Sequence, residues 1–331
     1  EEGLEAMRRN PAHPFPYSNL AYAYRGVNRY EDAMRVANEA VARKFETLPT
    51  RRLLYQLEMI AGREAEAATH LEWAQGRARA FDLIGAEAQV AAYGGRVTSA
   101  RELYQQTIEM ATKGNFHEVA SGYAVQFAWM EALYGNAEQA RQILEPYLRT
   151  PLAPVPRARA ATVLALAGKP AEGEALLRPT LQKSATSTLI GGTHLPVADA
   201  MIALARKRPA DAADRLRVAV PYELGFVAAL VPAYVRGLAL LAQGDGAAAS
   251  AEFRKVLEHR GVDPFSALLP ASQLGLARAL QRAGDTAGAG KTYDELLQTW
   301  AHADTSIPML RAAQSERAAL VASSSTARNS R

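Results

Sequence analysis

Three features of the chain carry residue types that could do chemistry. Gly284–Thr292 reads GDTAGAGKT and ends in the Gly-Lys-Thr of a phosphate-cradling loop. That chemistry needs G-x-x-x-x-G-K-[ST], because successive backbone N–H groups must curl around a phosphate at fixed spacing. Here Asp285 stands where the first glycine belongs, and no strand precedes it. His117-Glu118 opens like a zinc-protease H-E-x-x-H, but position 121 is Ser121, so the second imidazole one turn on is missing. The other histidines (His13, His70, His194, His259, His302) are dispersed, and no G-x-S-x-G nucleophile elbow occurs. The absence of cysteine excludes disulfides, thiol nucleophiles and thiolate metal sites. The sequence therefore points to no catalytic residue, no metal and no cofactor.

The Gly-Lys-Thr stretch has a plainer origin as the last copy of a loop-and-helix phrase that recurs eight times. Copies include NRYEDAMRVANEAV from Asn28, GRVTSARELYQQTI from Gly95, GNAEQARQILEPYL from Gly135 and GDGAAASAEFRKVL from Gly244. Alignment puts Ala33, Ala67, Ala100, Ala140, Gly173, Ala212, Ala249 and Ala289 in one column, at steps of 33 to 40 residues. A period near 34 residues resembles the tetratricopeptide repeat, in which helices A and B pair and successive pairs stack. The resemblance implies an all-α, right-handed α-solenoid of about eight repeats. It divides as 1–150 and 151–322, with 323–331 reading as a disordered tail. In such a stack each repeat packs only on its neighbours.

In the first repeat, helix A is expected from Pro16 to Gly26 and helix B from Tyr30 to about Lys44. Tyr17, Leu20, Ala21 and Tyr24 share one helix face, and Ala33, Ala37 and Ala40 answer from helix B. Glycine or proline punctuates the other turns, and Ser99 with Glu102 has the spacing of a capping box. Thr150–Pro156 reads as a stiff connector and Ser184–Thr193 as the best hinge candidate. The apolar run Phe226–Ala242 contains Pro232 and Arg236 and is too short to span a bilayer, so it reads as one buried repeat helix.

Hydrophobic residues make up 49% of the chain and aromatics only 7%, so alanine carries much of the apolar count and favours helices in close approach. The net charge of +4 is mild, and no basic face interleaved with aromatics points to nucleic acid. No segment inserts into a membrane, so a soluble chain is expected. The cytoplasm is favoured, with a periplasm-facing position left open. The start Glu1-Glu2-Gly3, without Met, suggests a piece of something longer.

Helix A residues of a repeat solenoid line a concave groove suited to a protein or peptide. In register with the alanine column, the groove candidates are Ser18, Tyr22 and Arg25, then Arg52, Gln56 and Met59, then Gln89 and Tyr93, then Trp129. On this register Ala33→Phe should overpack the A/B seam while Ser18→Phe should be tolerated. The Arg-Gln pairing of Arg52 and Gln56 falls short of the Lys/Arg-Asn clamp with which chaperone-binding repeats grip a C-terminal carboxylate.

The C-terminal phrases VPYELG (Val220–Gly225), PAYVRGLALLAQGDGAAASAEFRKVLEHRGV (Pro232–Val262) and WAHADTSIPMLRAAQSERAAL (Trp300–Leu320) resemble the tetratricopeptide region of bacterial eukaryotic-type serine/threonine kinases and of related winged-helix regulators. The resemblance implies a sensing or docking arm of a larger signalling protein. The chain carries no kinase motif of its own. The expected function is a non-catalytic protein- or peptide-binding scaffold. The alternatives are a small-molecule sensor with an apolar pocket near the hinge, and a structural domain that forms a homodimer.

Overall fold

The computed structural model describes residues 2–149, 152–184 and 187–329, with the backbone alone described at 179–184 and 323–329. Helix α1 (Glu2–Arg9) leads into eight A/B pairs. The first four are α2 (Pro14–Gly26) with α3 (Tyr30–Ala42), α4 (Leu48–Ile60) with α5 (Glu64–Ala74), α6 (Phe81–Tyr93) with α7 (Val97–Lys113), and α8 (His117–Leu133) with α9 (Ala137–Leu148). Then come α10 (Pro154–Leu166) with α11 (Pro170–Ser184), α12 (Leu195–Ala205) with α13 (Pro209–Arg215), α14 (Val231–Ala242) with α15 (Gly246–Glu258), and α16 (Leu268–Arg282) with α17 (Thr286–Thr299). Helix α18 (Pro308–Asn329) packs on the last pair. Among the described residues there is no strand, and no helix is long and apolar enough to cross a membrane. The architecture is an all-α repeat solenoid.

The alanine column is what lets each pair close. Ala33, Ala67, Ala100, Ala140, Ala212, Ala249 and Ala289 are all buried, each pressed between helix B and its helix A. Gly173 takes the column's place in the fifth repeat because a Cβ there would lie 2.8 Å from the Ala161 carbonyl oxygen. Small residues at this crossing bring the two backbones together, and larger ones on either side fill the flanks.

The turns between A and B share one solution. In the second pair Gly62 is left-handed and the next residue's N–H, Arg63, reaches back 2.9 Å to the Glu58 carbonyl. Arg96, Asn136, Lys169, Arg208, Asp245 and Asp285 donate in the same way to carbonyls five residues earlier. This is the glycine-terminated helix end that satisfies otherwise orphaned carbonyls. Asn28 and Lys207 adopt the left-handed conformation without being glycine. In the Gly-Lys-Thr stretch, Asp285 is the N-cap of α17 and accepts from Gly288 N–H at 2.8 Å, while Lys291 is exposed. A Cβ at Gly288 would lie 2.3 Å from that carboxylate, so the glycine serves a cap.

The expectation that repeats touch only their neighbours is overturned, because the stack closes on itself along two seams. At the first, the turn Arg260–Val262 sits on α2: Arg25 Nε and Nη2 donate to the Gly261 and Val262 carbonyls at 3.1 and 2.9 Å. Asn28 bridges the Glu258 carbonyl and the Gly261 N–H. At the second, the loop after α17 meets the ends of α6 and α8. Trp300 Nε1 donates to the Tyr93 carbonyl at 2.9 Å, Asp304 N–H to Gly95, and Met309 N–H to Tyr134.

Several sequence expectations change with this geometry. The Ser99–Glu102 capping box does not form: α7 has no cap from its own N-terminal side chains, and Asp304 accepts from Thr98 N–H at 2.6 Å instead. The run Phe226–Ala242 is not one helix. Pro232 allows helix only from Val231 onward, and Ala229 and Leu230 are both left-handed, so 226–230 is a loop with Phe226 exposed. The hinge stretch folds as a π-helical turn (Ile190–His194) running into α12, and its residues 185 and 186 lie outside the described residues. Helix α18 continues through Asn329, into the stretch read as a disordered tail, with 330 and 331 outside the described residues.

Candidate functional site

The loop between α13 and α14 is where the fold does something unusual with apolar residues. Leu224, Phe226 and Val227 are exposed, Phe226 by 69%, and Val218, Val220 and Tyr222 continue the strip. Disorder is not the reason. Leu230 N–H donates to the Glu223 carbonyl at 3.0 Å and closes the loop's ends. Glu223, itself 4% exposed, takes Arg236 at 2.6 Å and Lys255 at 2.9 Å through its two carboxylate oxygens. The base is thus pinned by a buried charge network, a costly arrangement unless every partner is present. Ala229 and Leu230 are held in a region of backbone space that non-glycine residues avoid. The loop is fastened at its base and presents its apolar side chains outward.

Across from it lies the N-terminal end of the solenoid. Phe226 faces Tyr22 with ring centroids 6.5 Å apart, nearly edge on. Between them opens a cleft of about 770 Å³ bordered by Tyr22, Val27, Arg52, Leu224, Phe226 and Val262 among others, with no carboxylate in its wall. Tyr22 is fixed by its hydroxyl, which donates to the Pro49 carbonyl at 3.0 Å, and Arg25 stacks 5.0 Å over the Tyr22 ring.

The nine groove candidates do not share one open surface. Tyr22, Arg25 and Arg52 border the cleft. Met59 lines a separate cavity of about 350 Å³ on the α4–α7 side. Gln89 and Trp129 face the solenoid's interior near Asp263. Tyr93 packs edge-on against Phe265 at 5.7 Å. Ser18, Arg25, Gln56 and Gln89 are buried: Ser18 Oγ lies 3.0 Å from Thr50 Oγ1, Arg25 also donates to Gln56, and Gln89 accepts from Arg52 at 3.1 Å. Ser18→Phe therefore meets protein, and the expected tolerance is corrected. The chain's own segment 258–266 meets two of them, taking both Arg25 hydrogen bonds to its carbonyls and setting Phe265 against Tyr93.

The interior is electrostatically uneven. Asp263 carries the one carboxylate felt together by Arg25, Arg52 and Arg159. Burial pushes its carboxyl above the usual value against the pull of those three guanidinium groups. Burial likewise lowers Arg25 and Arg159, with Asp263 opposing in each case. Sequence reasoning missed Arg159 because the alanine-column register lands on Ala158 and Thr162 in the fifth repeat. It missed the Phe226 loop because a continuous apolar run read as buried. The pair Val231-Pro232 was the available signal.

Residues 154–179, 230–255 and 270–294 match the sequence profile of the family described as the tetratricopeptide repeat, falling on α10/α11, α14/α15 and α16/α17. No curated protein matches the chain in sequence. Among solved structures, that of yeast Tom70 is similar over 97% of this chain and 91% of its own, at 12% identity and a TM-score of 0.36. The P58(IPK) TPR domain is similar over 94% and 99%, at 11% identity and a TM-score of 0.24. Neither likeness bears on what the chain binds.

Proposed function

We propose that this tetratricopeptide-repeat chain is a non-catalytic scaffold that captures an apolar peptide segment flanked by an acidic residue. The capture site is the cleft between the Phe226 loop and Tyr22, with Arg52 at its wall. The observation that carries this reading is the pinned loop, which spends a buried charge network to hold large apolar side chains in solvent. Aromatic and arginine side chains at the centre of a patch are the usual energetic anchors of an interface. The absence of a carboxylate in the cleft wall favours an acidic flank on the partner.

The resemblance of the C-terminal phrases to kinase-linked repeat regions supports a docking arm in a larger bacterial signalling protein. The test is a random peptide library selected against the purified chain. Enriched peptides should carry a large apolar anchor beside Asp or Glu, and Phe226→Ser should weaken them about 30-fold, the effect of losing one such anchor. Peptides that bind Phe226→Ser and Arg52→Gln as tightly as the parent would contradict the assignment. A concentration-dependent dimer in sedimentation that Phe226→Ser abolishes would replace the peptide with a second copy of the chain.

A further inference from the structure

We infer that the cavity between the second and third helix pairs is a binding site for a primary amine with a short apolar tail. It measures about 350 Å³, within the range of roughly 300–1,000 Å³ that small-molecule sites occupy. Four helices frame it, each turning residues one helical turn apart toward the same space. Tyr55 and Met59 come from α4, Ala68 and Leu71 from α5, Glu87 and Val90 from α6, and Ser99 and Leu103 from α7. Ala67, on the alanine column, and Ala91 line it too, and side chains that small leave room between the two pairs. The peptide capture proposed for the Phe226 cleft neither needs this cavity nor explains it.

Tyr55 is the residue that points to a ligand. It is 3% exposed, and its ring packs among Ala67, Ala86, Val90 and Phe265. A tyrosine buried to that degree ordinarily finds a partner for its hydroxyl. Among the described residues this hydroxyl has none, and its oxygen is not sealed in protein, so it opens on the cavity that the side chain lines. Burial raises the phenol above its usual value and Glu87 adds to the rise, with Arg96 and Glu64 acting more weakly. The phenol therefore keeps its proton at pH 7, and its oxygen is free to accept a hydrogen bond.

Glu87 decides the sign of the ligand's charge. It is half-buried in the wall and, among the described residues, makes no ion pair and no hydrogen bond. Arg96, the cation that acts on it through space, is exposed and served by water, so the partly desolvated carboxylate gains more from a new partner. Glu64 at the rim adds a second carboxylate, and two carboxylates against one guanidinium leave the wall net negative. An ammonium carries three donors and no acceptor, a set that Glu87, the Tyr55 oxygen and the Ser99 hydroxyl can receive. Met59, Leu71, Val90 and Leu103 then surround an apolar tail.

Calorimetric titration of the whole chain with isoamylamine, phenethylamine and tyramine at pH 7 tests this. At least one amine should bind, and its N-acetyl derivative should bind about tenfold more weakly or worse, the loss expected when a charge-assisted hydrogen bond is removed. Glu87→Gln should lose about tenfold or more, and Glu64→Gln, at the exposed rim, less than that. Tyr55→Phe should lose about fivefold and melt no lower than the parent, because the hydroxyl bonds nothing within the chain. Should Glu87→Gln fail to fold, Ala68→Phe, which fills the cavity from an exposed position on α5, must abolish binding instead. The inference is overturned if no amine binds, if amine and N-acetyl amine bind alike, or if Glu87→Gln or Ala68→Phe retains full affinity. It is equally overturned if the carboxylic acid of the same tail, or a lysine-bearing peptide, binds more tightly than every free amine. Arg96 in the first case, or a partner protein in the second, would then own the cavity.

Discussion

Two kinds of seam hold this molecule together, and they are built from different materials. Within each helix pair the contact is small and apolar: Ala33 and Ala140 are fully buried in clusters of apolar residues. Where the ends of the stack meet, the contact is backbone read by side chains. Arg25 and Asn28 grip the carbonyls and N–H of 258–262, and Trp300 and Asp304 grip the ends of α6 and α7. Local seams depend on volume, since close-packed interiors respond to single methyl groups. The closing seams depend on unpaired polar atoms being met, since a buried carbonyl left alone costs about 1–3 kcal/mol. A mutation that harms one kind should leave the other's pairs intact.

The largest effect should come from Arg25→Ala. It deprives the Gly261 and Val262 carbonyls and Gln56 of a donor and removes a cation facing Asp263, at a cost of about 3–5 kcal/mol in denaturant unfolding. Gly261→Ala attacks the same seam by volume alone, because its Cβ would lie 2.0 Å from the Arg25 carbonyl oxygen. A wild-type unfolding curve for either variant would show that the seam does not close the chain.

Acidification should come next. His70 and His194 are each pulled from an ordinary value of 6.5 to about 4 by burial, then by Arg51 and Arg159 respectively. Arg51 Nη1 lies 3.2 Å from His70 Nδ1, and since arginine can only donate, the imidazole accepts and is neutral. Lowered values mean the unfolded chain takes the protons first. The stability these groups contribute is complete above pH 6.5 and is lost as pH falls toward 4, on the order of 3 kcal/mol for each. Asp263, raised by burial, works in the opposite sense and blunts the loss. Melting His70→Gln and His194→Gln across this range separates a local seam from the interior. Equal pH slopes in the parent and both variants would contradict the assignment.

Ala33→Phe should cost about 1–3 kcal/mol by overpacking the first local seam, without changing how the ends meet. The smallest effect belongs to Trp300→Phe, which keeps the ring against Tyr134 at 5.0 Å but loses the bond to the Tyr93 carbonyl, about 1 kcal/mol. If Trp300→Phe exceeds Ala33→Phe in a chemical melt, the ranking of the two kinds of seam is wrong.

The same contrast explains what could be read from the sequence. Local seams repeat, so the column from Ala33 to Ala289 and its turn glycines announce all eight pairs without a structure. The closing seams occur once each. Nothing periodic marks Gly261 as the residue that must lack a Cβ for Arg25 to reach its carbonyl, or Asp304 as the cap of a helix 206 residues earlier. The register expects Arg25, Arg52 and Gln89 in a groove open to a partner, whereas Arg25 and Gln89 are buried and hydrogen-bonded within the chain. That the interior is occupied by the chain's own turn could not be read there, because closure depends on curvature summed over the whole stack. The Phe226 loop escaped for a different reason. Composition says apolar, and the pinned Glu223 that turns those side chains outward is a tertiary fact.

The central claim is that the stack is closed, with α2 seated on the turn after α15. Because the chain has no cysteine, Val27→Cys and Glu258→Cys can be spin-labelled as the sole pair without further change. Asn28 Nδ2 lies 2.6 Å from the Glu258 carbonyl oxygen, so pulsed dipolar spectroscopy should return a single short, narrow distance, lost on adding Arg25→Ala. A broad, long distribution in the parent chain would mean an open superhelix whose groove is free for a partner.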